Sequence, residues 1–110
     1  MGTMGKLVVL AVAASLALPA AVLYGAEKAE SKGAKLFQQH CSSCHPAGGN
    51  IIKPAMTLHK KDREAHGVKT AKDIVGLMRN PKPGMTKFDS KTIPDKDAME
   101  IAEYILATYK

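Results

Sequence analysis

The run Cys41-Ser42-Ser43-Cys44-His45 holds the residues best suited to chemistry, because it gathers both cysteines of the chain beside a histidine. Residues three and four apart share one face of a helical turn, so Cys41, Cys44 and His45 can approach one flat ligand together. This C-x-x-C-H spacing is the attachment signature of c-type haem. Two thiols can bond to the vinyl groups of a porphyrin while the imidazole of His45 reaches the iron as proximal ligand. The sequence therefore predicts a covalent haem site at these three residues.

Three other interpretations of the two cysteines stay open at this point. A dithiol redox pair has the same C-x-x-C spacing, but it does not need the following histidine. A simple disulfide would use both thiols and leave His45 without a role. A zinc site would need two further ligands, and the candidate set is Cys41, Cys44, His59 and His66. The two later histidines are further apart than is usual in such sites.

The first residues have the pattern of an export signal. Lys6 precedes a stretch of apolar and small residues from 7 to 18, which is typical of a secretory signal peptide. Residues 1–26 are therefore predicted to be a signal peptide. The alternative is an uncleaved anchor from Leu7 to Tyr24, which is close to the minimum length of a membrane span. In either case we expect the rest of the chain in the periplasm, anchored to the inner membrane only if the leader is retained.

Residues 27–110 form the predicted domain, and their composition indicates that a cofactor completes the core. A domain of this size has a marginal hydrophobic core and usually relies on a staple or a bound group. The whole chain has no Trp, two Phe and three Tyr, so few large apolar side chains are available. A buried haem would supply the missing apolar surface.

The periodicity of the domain predicts helices joined by loops, without any convincing strand. The first helix is predicted over residues 31–43, and the Gly- and Pro-containing stretch 46–57 is predicted to be a loop. Another helix begins at Thr70, which has Asp73 as its capping-box partner, and ends before the next prolines. The last helix follows Pro94. It carries an apolar stripe at helical spacing: Ala98, Ile101, Ala102 and Ile105. The predicted fold class is all-α.

Residues 33–45 resemble the N-terminal helix of class I c-type cytochromes, which are small monohaem electron carriers, and CHPAGGN at 44–50 is similar to their short bacterial and algal members. The resemblance covers residues 31–110. It implies about four short helices wrapped around one covalently attached haem. It also implies that the first and last helices cross, with Gly33 and Phe37 packed against Ile101 and Tyr104.

The resemblance further implies that a methionine from a loop ahead of the last helix is the second axial ligand. The candidates in the domain are Met56, Met78, Met85 and Met99. Two of them lie in predicted helices, where a methionine usually packs in the core, and Met56 stays open as a loop candidate. Met85 is favoured, because the turn signal Pro83-Gly84 comes directly before it.

Met85 also matches the family's distal methionine, and Phe88 stands where an aromatic residue often follows. Thr86 departs from the pattern, because many members have Pro at that position. The alternative axial ligand is His59 or His66, which would give a bis-His haem of lower potential, since methionine raises it. Otherwise both histidines are expected to be solvated, in a charged segment of ambiguous structure.

Two further histidine predictions concern the attachment segment. His40 is too close to Cys41 along the chain to reach the opposite haem face, so it is expected to be exposed or packed. The ring of His45 needs an acceptor for Nδ1 to fix its orientation. The resemblance implies a backbone carbonyl of the following loop, and Pro54 is the predicted acceptor.

With both axial positions filled by protein, iron has no open position for a substrate, so electron transfer rather than catalysis is expected. The chain has a net charge of +6, and a set of lysines is expected near the haem: Lys53, Lys60, Lys61, Lys82, Lys87 and Lys91. Such a rim would steer acidic redox partners. A monomer that binds no nucleic acid is expected. The alternative function is an exported haem-based sensor or ligand-binding protein, with a labile or bis-His distal site.

Overall fold

The computed structural model describes residues 30–110 together with Ala13, and these residues contain four α-helices and one short 3-10 turn. The helices are α1 (Lys32–His40), α2 (Lys60–Ala65), α3 (Ala71–Arg79) and α4 (Asp95–Thr108), and the 3-10 turn spans Pro46–Gly48. The predicted all-α class is confirmed. In residues 30–110, no helix has the length and apolar character needed to cross a bilayer. The predicted signal peptide, residues 1–26, lies outside the described residues.

Local capping signals determine where two of the helices begin. The hydroxyl of Ser31 accepts a hydrogen bond from the amide of Ala34 at 3.1 Å and caps α1. At the start of α3, the Thr70 hydroxyl and the Asp73 carboxylate accept from each other's amides, which completes the predicted capping box. Each cap satisfies amides that the first helical turn leaves unpaired.

The core lies where α4 packs against α1 and α3. The predicted apolar stripe of α4 is buried: Ala98, Ile101, Ala102 and Ile105. On α3 the buried residues are Ile74 and Met78. The predicted end of the first helix was three residues too late, because α1 ends at His40 and the chain continues as a turn.

The predicted crossing of the first and last helices is confirmed. A Cβ atom at Gly33 would lie 2.9 Å from Cβ of Tyr104 and would also meet the carbonyl of Glu100, so only glycine allows this approach. One turn later, the buried ring of Phe37 packs on Tyr104 with their centroids 5.4 Å apart. This crossing fixes the C-terminal end of α1, from which the cysteine segment follows.

Candidate haem-binding site

A tight turn directly after α1 gathers the two cysteines and His45. The amide of Cys41 donates to the carbonyl of Phe37 at 2.8 Å, so helical hydrogen bonding continues one residue past the helix. The amides of Cys44 and His45 both donate to the carbonyl of Cys41, at 3.2 and 2.9 Å. The backbone therefore stays coiled through the segment, and Cys41, Cys44 and His45 line one cavity.

The imidazole of His45 is held in one orientation by its backbone neighbour. Its Nδ1 lies 2.7 Å from the carbonyl oxygen of Gly49. Because a carbonyl can only accept, Nδ1 carries the proton, which leaves the lone pair of Nε2 available to a metal. The prediction of a loop carbonyl is confirmed, but its assignment to Pro54 was wrong. The 3-10 turn brings Gly49 back to the ring before the chain reaches Pro54.

The 3-10 turn has positive φ angles at two residues and lies against the ring of Tyr109. Ala47 and Gly48 both have positive φ, at 51° and 77°, which reverses the chain after His45. A side chain at Gly48 would collide with the ring of Tyr109, whose Cδ1 would lie 2.5 Å from the added Cβ. The carbonyl of Gly48 also accepts from the amide of Leu58 at 2.7 Å. Glycine at position 48 therefore lets this turn dock on the C-terminal residues.

The cavity has a volume of about 220 Å³ and combines apolar walls with a few polar groups. Its apolar lining includes Leu58, Val68, Ile74, Leu77, Met78 and Ile105. These side chains come from the loop before α2, from the connection between α2 and α3, from α3 and from α4. The wall is thus shared by the elements around the core and is suited to a large apolar ligand.

Three of the four candidate methionines line this cavity, namely Met56, Met78 and Met85, whereas Met99 does not. Met78 is buried within α3 as a core residue. Met56 is half-buried in the loop before α2. Met85 lies in the loop between α3 and α4, with 38% of its surface exposed. The structure therefore brings Met85 to the same cavity as His45.

Besides His45, the cavity is lined by His40 and His66, whereas His59 lies outside its lining. His66 lines the cavity, and its Nδ1 lies 2.7 Å from the carbonyl of Asp62. The ring of His59 instead packs edge-on against Tyr109, with centroids 5.5 Å apart. His40 packs against Phe88 at 6.0 Å, as a packed rather than a ligating residue. The structure therefore does not bring together the four residues of the zinc alternative.

No disulfide joins Cys41 to Cys44, and the environment of Cys41 differs from that of a redox-active thiol. Burial raises the pKa of Cys41 to about 11, and the nearby Cys44 thiol adds to this rise. A thiol that exchanges disulfides needs the opposite, a lowered pKa that gives a thiolate at neutral pH. Cys41 is half-buried against the core, where it can be bonded to an apolar group.

Asn50 organises the loop opposite the cysteine turn, and sequence reasoning missed its role. Its side-chain nitrogen donates to the carbonyl of Met56 at 3.0 Å. Its side-chain oxygen accepts from the amides of Ile52 and Lys53, at 3.0 and 2.8 Å. An asparagine directly after two glycines is a turn signal that could have indicated this.

Arg63 was also missed, because the charged segment around it was expected to be solvated. It is buried in α2 and lines the cavity. Its Nε donates to the carbonyl of Leu58 at 2.6 Å, and its Nη2 donates to the carbonyl of Tyr109 at 3.1 Å. The second partner lies 46 residues away in the chain, so no local pattern could have predicted the contact.

Comparison with known proteins relates this chain to cytochromes. The sequence matches the family described as cytochrome c oxidase, cbb3-type, subunit III over residues 28–105. It is 35% identical to cytochrome c6 of Nostoc sp. over 74 residues, which cover 67% of this chain and 66% of that protein. It is 33% identical to cytochrome c6 of Bumilleriopsis filiformis over 75 residues, or 68% of this chain and 86% of that protein.

A solved structure supports the same assignment. OmcF, the outer membrane cytochrome F from Geobacter sulfurreducens, aligns with a TM-score of 0.69 at 45% identity, covering 71% of this chain and 99% of that one. The chain therefore belongs to the small monohaem class I c-type cytochromes. Within that class it is similar to cytochrome c6 and OmcF, and it is an electron carrier rather than an enzyme. This membership, with the spacing of Cys41 and Cys44, implies covalently bound haem c.

Proposed function

We propose that this protein is an exported carrier of single electrons in which Cys41 and Cys44 hold haem c through thioether bonds. His45 is the proximal iron ligand and Met85 the distal one. The observation that carries the proposal is that these four side chains line one cavity, although 39 residues, 46–84, separate Met85 from the cysteine segment. A bound haem supplies the one-electron chemistry of its iron.

The residues around the cavity fit this group. The hydrogen bond from Nδ1 of His45 to Gly49 fixes the tautomer in which Nε2 can ligate iron. Two free thiols stand on the same wall at the required spacing. The apolar side chains of α3 and α4 would exclude water from the haem face, and axial ligation from His45 and Met85 would leave no position for a substrate.

The surface beside the cavity supports a proposal for the partners. Ile51 and Ile52 are exposed large apolar residues, and Met85 is partly exposed in the neighbouring loop. Lys53 and Lys82 line the cavity mouth and are themselves exposed. An apolar centre with positive charges around it suits brief docking to acidic redox proteins, which electrostatic attraction accelerates at low salt. We infer that the protein acts as a monomer and does not bind nucleic acid.

The proposed location is the periplasm. The support comes from the charged and then apolar pattern of residues 1–26, and from the likeness to a cytochrome named for the outer membrane. Attachment to the inner membrane would follow only if the leader were retained. The mass of the protein purified from the periplasm measures cleavage directly.

A second candidate function is an exported haem-based sensor. The observation that favours it is that His66 lines the same cavity as Met85, so a bis-His or labile distal site has a nearby ligand. The absorption spectrum of the ferric protein separates the two. A Met–Fe(III) haem has a weak far-red band, and the electron-carrier proposal predicts that band together with slow carbon monoxide binding to the ferrous protein. Absence of the band, or rapid carbon monoxide binding, would favour the sensor.

A further inference from the structure

The loop that carries Met85 makes few contacts with the rest of the polypeptide along its length. Residues 82–87 are all exposed. One backbone hydrogen bond lies inside this stretch, from the amide of Met85 to the carbonyl of Lys82 at 3.2 Å. A loop with so few contacts opens easily unless its ends are fixed.

Phe88 is the point at which the loop rejoins the core. Its amide donates to the carbonyl of Met78 at 2.9 Å, and its half-buried ring packs against the core cluster. The ring also meets His40, at the end of α1, at an interplanar angle of 71°. Because Phe88 follows Met85 by three residues, its position limits where the thioether can go.

Arg79 connects the loop to both neighbouring helices. From the last residue of α3, its Nη1 donates to the carbonyl of Phe88 at 3.1 Å, and its Nη2 donates to Oδ1 of Asp95 at 2.8 Å. The Arg79 side chain is 20% exposed, whereas that of Asp95 is 88% exposed. The ion pair is therefore worth little. The bond to the Phe88 carbonyl is partly buried, so water and salt screen it less than the exposed ion pair.

We propose that Arg79 is the positioning residue for the distal ligand. By holding the Phe88 carbonyl, it keeps the loop of residues 80–88 closed and Met85 at the iron. This inference rests on the proposed function, because it takes Met85 as the distal ligand. An external ligand reaches the iron only from the open loop, so its apparent affinity follows the population of that state.

The test is a titration of the ferric holoprotein with imidazole, in which loss of the far-red band reports that imidazole has displaced Met85. We expect Arg79→Met, which keeps most of the side-chain length but removes its donors, to bind imidazole about tenfold more tightly. Arg79→Lys keeps the charge and a single donor nitrogen but loses the planar guanidinium, so its affinity should lie between that of this variant and that of the wild type. Asp95→Ala removes the ion pair but not the bond to Phe88, so its affinity should match that of the wild type.

A second control tests whether loss of any surface cation has the same effect. Lys32→Met removes an ion pair away from the Met85 loop, between Lys32 and Asp97 at 2.8 Å, and should leave imidazole affinity unchanged. Wild-type affinity in both Arg79 variants, with the far-red band present in the wild type, would overturn the role of Arg79 while leaving the proposed function intact. An effect of Asp95→Ala as large as that of Arg79→Met would also overturn it. If the wild type itself lacked the band, the assignment of Met85 as distal ligand in the proposed function would be wrong, whatever the Arg79 variants showed. Should Arg79→Met not accumulate, Arg79→Lys and Asp95→Ala decide by the same measurement.

Discussion

The two sides of the cavity are stabilised in different ways. On the side of His45, hydrogen bonds join residues that are close in sequence: the Cys41 amide donates to the Phe37 carbonyl, the His45 amide donates to the Cys41 carbonyl, and Nδ1 of His45 donates to the Gly49 carbonyl. On the side of Met85, the loop is exposed, and the contacts that fix it come from α1 and α3. The proximal side is therefore rigid by local structure, and the distal side depends on tertiary packing.

This contrast suits a carrier of single electrons. In the proposed site, the imidazole of His45 would occupy one axial position of the iron in a fixed tautomer. Met85 would occupy the other and would tune the potential through a bond that depends on the position of its loop. Substitutions on the side of His45 should therefore reduce the formation of folded holoprotein, whereas substitutions on the side of Met85 should change the distal ligand of the iron.

The largest effect is expected from replacing both Cys41 and Cys44 with Ala. Because the small core needs its cofactor, no holoprotein should accumulate and the remaining polypeptide should be poorly folded. The measurement is visible absorbance and mass of the purified protein. Ser43→Ala changes an exposed residue of the same pentapeptide and should give normal holoprotein. Full haem loading of the double variant would contradict the proposed attachment.

Met85→Ala tests the distal side alone. We expect holoprotein to form, with a large fall in potential, loss of the far-red band and rapid carbon monoxide binding. Met99→Ala is the matched control, because Met99 is 36% exposed against 38% for Met85 but lies outside the cavity lining. A far-red band retained in Met85→Ala would transfer the ligand to Met56. A wild type without the band, whose spectrum does not change in Met85→Ala, would transfer the ligand to His66.

Phe37→Ala tests whether a substitution in the helix that precedes the cysteine turn lowers the stability of the whole fold. The ring is buried in the crossing of α1 with α4, so its removal should lower the free energy of unfolding by about 3–5 kcal/mol. Denaturant unfolding of the holoprotein measures this. The far-red band of the remaining folded protein should persist, since Arg79 and the Met78 carbonyl still hold Phe88 at the end of the Met85 loop. Loss of the band without loss of stability would contradict the contrast between the two sides.

The smallest effect is expected at the end of the distal loop. The amides of Thr92 and Lys91 donate to the Asp89 carboxylate, at 2.9 and 3.0 Å, and the Thr92 amide is the main cause that lowers its pKa below 3.8. Because the pKa of Asp89 is lower in the folded than in the unfolded protein, its carboxylate stabilises the fold at pH values above the unfolded pKa. This stabilisation is lost as the pH falls through the pKa of the folded protein. Asp89→Ala should therefore be less stable than the wild type near neutral pH.

The stability difference between Asp89→Ala and the wild type should shrink as the pH falls below about 3.8. Unfolding curves recorded across the acid range measure it. The control is Glu103→Ala, which removes an exposed carboxylate from α4. A difference that stayed constant to the lowest pH would show that Asp89 acts through something other than its charge.

Much of the helical fold could be predicted because its signals are local. The capping pair of Thr70 and Asp73 and the apolar stripe of α4 depend only on spacing, and both are present. The acceptor of His45 was assigned to Pro54 instead of Gly49, because the intervening turn uses a positive φ at Ala47. Alanine gives no sequence signal for such a backbone.

In the candidate site, too, the local features could be predicted from the sequence and the long-range contacts could not. The cysteines and His45 follow from a five-residue pattern. The contacts that fix the rest join distant segments, such as Arg63 with Tyr109 and His40 with Phe88. Long-range contacts of this kind depend on how the helices pack, and no spacing rule in one sequence contains them.

The most direct test is to denature wild-type protein from a host that matures c-type cytochromes, extract it with acidic acetone, and record its spectrum and mass. A haem bonded through Cys41 and Cys44 must stay with the polypeptide, so the washed protein should remain coloured and heavier than its apoprotein by one haem. A colourless polypeptide at apoprotein mass would contradict covalent attachment and, with it, the proposed function.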